Sequence, residues 1–267
     1  MFFLLVFFLF CSNNNNTNNN PNSSTSLNSN TNNNTRPLYE IAGTTSSHSD
    51  DGSSPQIQLL HPLDYFGQSY TQIYVNHNGH LTFQAPWFSY FPQRFPMNGT
   101  RDIIAPFWTD LNNAVSGDIY YAQHTSGQLL RQVTRDINEY LPELNFNAKL
   151  VFIATWDEVA YYSGPGTVSD FDLTATFQAV LTTDGQYSFL LMNYGYLAPT
   201  TRPIQAGYDT VNSHHYFTIP GSFSSNATGN NSVFSLNSNV NVPGRWVFRV
   251  DLGCTFNDGS YYKVSLF

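Results

Sequence analysis

Three aspartates, Asp102, Asp110 and Asp118, recur at eight-residue intervals. Carboxylates in such number could hold calcium or serve as the acid–base pair of a glycoside-processing enzyme. Calcium needs several converging oxygens, and the best-known loops place them at every second residue around a glycine. Eight-residue spacing across strand ends is unlike that. Each aspartate instead stands where a turn or strand boundary calls for a side-chain acceptor, so a structural role is the preferred reading. His77 and His80 bracket Asn78-Gly79, and His214-His215 fall in another β segment. Zinc asks for three or four ligands, which these pairs do not supply, so the four imidazoles are expected to be solvated. G-x-S-x-G, H-E-x-x-H, C-x-x-C and phosphate-cradling glycine loops are all missing. The expectation is a non-enzyme with no catalytic residue, no metal and no cofactor.

Aromatic chemistry is better represented. Pro86-Trp87-Phe88-Ser89-Tyr90-Phe91-Pro92 could stack on sugar rings or meet a protein partner, with Trp87, Phe88 and Tyr90 as interaction candidates. The alternative is that these rings anchor a core. Six N-x-[ST] sequons are present. Those at Asn15, Asn22 and Asn33 lie in Asn-rich sequence where the pattern arises by chance. Asn98, Asn226 and Asn230 are the glycosylation candidates, and Asn98, in Asn-Gly-Thr between two strand signals, is the strongest.

The elements that must position these groups are mainly β. The 267 residues include 22 Phe and 17 Tyr, charged residues make up 10%, and the net charge is −8. That mix suits a β-rich domain with a neutral, amide-covered surface. Ten basic residues, two of them Lys, form no patch able to neutralise phosphates, so nucleic acid and anionic membrane surfaces are not expected partners.

The central stretch, residues 73–121, opens with Ile73 and Val75, then Leu81 and Phe83, alternating about Asn78-Gly79. That is a strong hairpin signal. Residues 103–108 form a continuous apolar run that fits a strand buried on both faces, with Trp108 in the core. Pro106 inside it implies an edge, a bulge or a strand end. Further strands are expected at 57–60, 118–123, 149–156, 171–181, 187–193, 204–208, 215–219 and 246–250. Residues 171–181 alternate from Phe171 to Leu181, which reads as one buried face, and Asp184-Gly185 turns the chain back. Leu130, Val133, Ile137 and Leu141 recur at helical spacing, and Pro142 ends a helix over about residues 129–141. Together these give an antiparallel β-sandwich-like single domain with one covering α-helix.

Residues 2–10 are an apolar run too short to span a bilayer and read as a signal-peptide core, with residues 1–11 as the whole segment. No positive side chain precedes the run, which suggests a truncated start. Residues 12–37, rich in Asn, Ser and Thr, cannot bury enough surface to order and read as disordered. The folded domain is expected over 38–251, with a short tail over 252–267. Removal of the signal peptide near Cys11 would leave Cys254 without a partner in the chain, which implies either an intermolecular disulfide (a disulfide-linked dimer or a link to a matrix partner) or, equally, an inert free thiol; if Cys11 is retained, an internal Cys11–Cys254 bridge competes.

VNHNGHLTF, IIAPFWTD and GDIYY, in this order, resemble the opening of the nidogen-like (NIDO) domain. ATWDEVAYY, ATFQAVLTTDGQYSFLLMNYG and IQAGYDT match its later elements, and SLNSNVNVPGRWVFRVD is most similar to the domain's end in alpha-tectorin-type members. The resemblance covers about residues 60–251. Thr176 stands where the family usually has Asn, and the Trp that tectorin-like members carry after NYG is absent. The resemblance implies a secreted module of the extracellular matrix, associated with cell–matrix adhesion and with matrix or mucin-type protein partners. A lectin-like sugar binder is the rival from the aromatic segment.

Overall fold

The computed structural model describes residues 37–162 and 173–252. Alternating apolar residues separated by turn formers produce β1 (Thr44–Thr45), β2 (Ile57–Tyr65), β3 (Gln68–Asn76), β4 (His80–Thr82), β5 (Ile103–Trp108), β6 (Leu111–Asn112) and β7 (Asp118–His124). After helix α1 (Gln128–Tyr140) come β8 (Leu150–Tyr161), β9 (Thr174–Thr183), β10 (Ser188–Leu197), β11 (Gln205–Asp209) and β12 (Tyr216–Thr218). A short helix, α2 (Val233–Leu236), precedes β13 (Arg245–Arg249). The strands form two antiparallel sheets. One runs β1-β7-β8-β9-β10-β13, with β6 also on β8, and the other runs β12-β11-β5-β4-β3-β2.

The sheets face each other across one apolar core. Leu63, Val75, Leu81, Ile104 and Phe107 of the second sheet meet Phe152, Trp156, Phe177, Leu190 and Tyr194 of the first. Helix α1 covers the opposite face of the first sheet, where Leu129, Val133 and Ile137 pack on Val151, Ile153, Val180 and Leu191. This is the mainly β sandwich with a covering helix that the sequence implied. The helix explains one departure. Strand β9 was expected to bury a single face, but Ala175 to Thr183 are all buried, because the helix hides the side that would otherwise meet water. Phe171 lies outside the described residues. Strand β2 also outruns its expected end, and a register shift between Gln58 and Leu63 accommodates Pro62 in the strand.

Arg245 fastens the helix to the sheet. Its Nε donates to Asn193 Oδ1 at 2.9 Å, one Nη to Asp136 Oδ2 at 2.7 Å and to Tyr140 Oη at 3.1 Å, and the other Nη to the Pro37 carbonyl at 2.7 Å. A buried guanidinium is tolerable because its donors are taken. No described helix is long and apolar enough to cross a membrane.

Pro106 sits in a central strand, not at an edge. Ala105 pairs with Gly207 and Trp108 with Gln205, so three steps along β5 oppose two along β11. The proline is absorbed in this bulge, one of the three outcomes its position allowed.

The β3–β4 turn corrects the sequence reading. His77, Asn78 and His80 are buried, not solvated, because the turn is tucked inside the sandwich. Trp156 Nε1 donates to the His77 carbonyl at 3.0 Å. The Asn78 carbonyl accepts from Thr109 N–H at 3.2 Å, its Oδ1 accepts from Leu111 N–H at 2.8 Å, and its Nδ2 donates to Asp51 at 2.7 Å. His77 bonds Ser46 Oγ at 2.8 Å through Nε2, and burial pushes its pKa down. Gly79 has φ 81°, and a Cβ there would lie 1.9 Å from the Phe107 carbonyl oxygen. Gly79→Ala is therefore expected to cost at least about 2 kcal/mol through strain and displacement of β5. Urea unfolding would register it as a lowered midpoint; an unchanged midpoint would show that the turn is not clamped this way.

Candidate interaction surface

The chain between β4 and β5, residues 84–101, lies over the outer face of the second sheet. Ile103, Ala105 and Trp108 of β5 form that face, with Phe95 buried on it and Trp87, Met97 and Tyr216 packed alongside. Strand β5 thus has an apolar layer on both sides, as its unbroken run of hydrophobic residues implied.

Polar side chains fix this loop at successive points. Asn76 Oδ1, at the end of β3, accepts from Trp87 N–H at 2.8 Å. Trp108 Nε1 donates to the Ser89 carbonyl at 2.9 Å. Gln205 Oε1 accepts from Phe95 N–H at 3.1 Å, Asp209 Oδ2 from Met97 N–H at 2.7 Å, and Ser213 Oγ from Asn98 N–H at 2.7 Å. Pro86, Pro92 and Pro96 supply no amide donor and hold φ near one value. The loop is long but tied to rigid elements.

Its rings divide into two sets. Trp87 is half-buried, with its ring 4.8 Å from that of Trp108 and 5.5 Å from that of His80. Phe88, Tyr90 and Phe91 are 55%, 52% and 64% exposed. The structure thus separates the three candidate aromatics: Trp87 is an anchor, whereas Phe88 and Tyr90, with Phe91 beside them, form a ridge in water. Sequence density located the segment, but only the hydrogen bonds from the core decide which ring turns outward.

His80 lies beneath the loop. Its Nε2–H donates to the Trp87 carbonyl at 3.0 Å, and burial drives its pKa down to about 3. The same loop carries two arginines. The Arg101 guanidinium stands 4.3 Å from the Trp87 ring centroid, and that of Arg94 stands 4.1 Å from Phe223.

The three aspartates are not brought together as a catalytic pair. Asp102 is buried, accepting from the Tyr70 hydroxyl and from Val211 N–H. Asp118 bonds His48 and the Tyr120 hydroxyl. Asp110 is paired with Arg202 at 3.0 Å and gathers instead with Asp50 and Asp51, their ligand oxygens within 4.8 Å of one another. Burial lifts the Asp110 pKa to about 6, with Arg202 opposing. Sequence reading passed over Asp50-Asp51, whose only signal was an acidic doublet before a glycine. Arg202 pairs with Asp110 and the Asn78 amide donates to Asp51, so two of the three carboxylates already have a partner within the protein, and the charges of Asp50 and Asp51 help hold the Asp110 pKa up.

Of the glycosylation candidates, Asn98 and Thr100 are both exposed, with Asn98 at φ 52°. Asn226 and Asn230 are exposed too, but their sequon hydroxyls are engaged: Thr228 Oγ1 accepts from Thr200 N–H and Ser232 Oγ donates to the Ala227 carbonyl. His214 is exposed and His215 half-buried against Phe66. Cys254 lies outside the described residues. A groove of about 750 Å³ runs along β13, floored by Phe217, Trp246 and Phe248. It shares no lining residue with the aromatic loop. Its Asn239 bonds both backbone groups of Val247.

A sequence model of the family described as "Nidogen-like domain" matches residues 71–252. Alpha-tectorin of Mus musculus is 39% identical over 223 residues, covering 78% of this chain and 10% of the relative. "Dendrite extension defective protein 1" of Caenorhabditis elegans is 30% identical over 200 residues, covering 73% of this chain and 16% of the relative. Nidogen of Drosophila melanogaster is 28% identical over 217 residues, covering 75% and 15%. The chain thus spans a tenth to a sixth of these relatives' length. No solved structure matches it.

Two outcomes follow from the geometry. Trp108→Ala should cost about 3–5 kcal/mol, while Phe91→Ser should change stability by no more than about 0.5 kcal/mol; chemical denaturation of both variants checks the division of rings. His80 should remain neutral: the unfolded chain binds a proton there near pH 6.5 that the folded chain refuses until about 3. The unfolded state then binds more protons, so this residue's contribution is full above pH 6.5 and is lost as pH falls toward 3. His80→Gln, which keeps a donor toward Trp87, should flatten the stability profile in that window. An imidazole NMR resonance titrating near pH 6 that is assigned to His80 by its loss in His80→Gln would contradict the burial.

Proposed function

The chain belongs to the nidogen-like domain family, and from that premise we propose that it is a secreted, non-enzymatic extracellular-matrix module that adheres to matrix or mucin-type proteins. The observation that carries this reading is the ridge of Phe88, Tyr90 and Phe91. Contiguous exposed aromatics on a soluble domain mark interaction sites, and a ridge fixed in advance loses little entropy on binding. The strand-end aspartates support no hydrolytic reading, since each is engaged by a different partner.

The setting requires secretion. Expressed in animal cells, the protein is expected in the medium, and Asn98→Gln should shorten the mass lost to an N-glycan-cleaving enzyme. Cytosolic retention without glycan overturns the setting. Cys254 would be free to join a second chain or a matrix protein, so non-reducing gels should show a larger species that Cys254→Ser abolishes. For adhesion, the secreted protein should bind immobilised basement-membrane matrix, and the triple substitution Phe88→Ser, Tyr90→Ser, Phe91→Ser should weaken it at least about tenfold. Full binding by that variant, or none by the wild type, refutes a role for the ridge.

A further inference from the structure

We propose that the ridge grips an anionic polysaccharide chain, with sugar rings stacked on Phe88, Tyr90 and Phe91 and sugar carboxylates or sulfates bound by Arg94 and Arg101. The inference rests on the adhesion reading and specifies what is held on the partner. Its starting point is a local reversal of charge. The protein has 18 acidic and 10 basic residues, yet residues 84–101 contain no Asp or Glu and two Arg.

Both arginines are held for use. Each guanidinium lies over a ring, Arg101 on Trp87 and Arg94 on Phe223, and neither forms an ion pair among the described residues. A guanidinium beside a ring can still offer N–H groups to planar oxyanions, two bonds at a time. The aspartate next in sequence to Arg101 and the one that ties the loop down have partners of their own: Asp102 accepts from Tyr70 and Val211, and Asp209 from Met97, Thr210 and Ser213. Among the described residues two further arginines are exposed, Arg131 and Arg135; they share α1 with Asp136 and Glu139 and have no exposed aromatic ridge on that element.

A sugar chain suits this surface better than an acidic peptide does. Exposed ring faces on a fixed backbone are sequence-tolerant stacking platforms, and they match pyranose C–H faces repeated along a polymer. Charge and stacking sit side by side, as alternating acidic and neutral sugars would require. Elsewhere the net negative charge repels a polyanion, so binding should be confined to this patch.

The test uses the secreted full chain and four immobilised probes: heparin, hyaluronan, dextran and poly-glutamate. Binding to heparin or hyaluronan is expected, weakening as salt rises, with dextran and poly-glutamate bound at least about tenfold less tightly. Arg94→Gln with Arg101→Gln should remove at least about tenfold of the affinity, and the ridge triple a similar factor, while Arg131→Gln with Arg135→Gln changes it less than about twofold. Arg94→Gln alone, at the exposed end of the patch, keeps the test readable if the double variant is poorly secreted; it should still weaken binding. Equal binding to dextran removes the anionic element, and equal binding to poly-glutamate replaces the sugar with an acidic peptide. Loss of binding in the α1 variant moves the site. If no polyanion binds but matrix binding survives heparinase and hyaluronidase treatment, this inference falls and protein-mediated adhesion stands. If the matrix is not bound at all, both fall.

Discussion

A polar turn sealed inside an apolar sandwich is the constraint on which this structure depends. Residues 77–80 carry two imidazoles, a carboxamide and backbone groups into a place that water does not reach. Each unmatched polar atom there would cost on the order of 1–3 kcal/mol, and the surrounding chain meets all but a few of them, His80 Nδ1 being left without a partner. Trp156 comes from the first sheet, Thr109 and Leu111 from just beyond β5, Ser46 and Asp51 from the N-terminal stretch. Gly79 lets β5 approach closely enough for Phe107 N–H to reach its carbonyl at 3.3 Å. One turn thereby sets the separation of the sheets and the placement of the strand that underlies the candidate surface.

That placement reaches the ridge through few steps. Asn76, the residue before the turn, fixes Trp87, and Trp108, at the end of the clamped strand, fixes Ser89. Phe88 lies between these two anchored residues, and Tyr90 follows the second. A loop of this length would ordinarily wander. Here its outward aromatics are held by inward ones, at the cost of exposing rings that folding alone would hide.

The hairpin, the helix, the doubly buried strand and the family were legible because each rests on local patterning: Asn-Gly between alternating residues, apolar spacing ended by Pro142, an unbroken run at 103–108. The misreadings share one physical origin. Solvation of His77 and His80 followed from their being too few to hold zinc, and turns do usually lie at the surface; only long-range packing shows that this one does not. The single-faced reading of β9 failed likewise, since the helix that covers its other face is distant in sequence. Arg245 could not be recognised as a strut, because its partners are scattered from Pro37 to Asn193. Aromatic density located the candidate surface, but the contrast between Trp87 and Phe88, neighbours of similar chemistry, comes from tertiary hydrogen bonds.

The central claim is that the ridge is held rigid by the core before any partner arrives. Amide hydrogen exchange in the free protein measures this directly. The amides of Trp87, Phe95, Met97 and Asn98 should exchange as slowly as those of β5, because each is bonded to a side chain fixed in the sandwich. Exchange of all four at the rate of an open loop, with β5 still protected, would contradict the account.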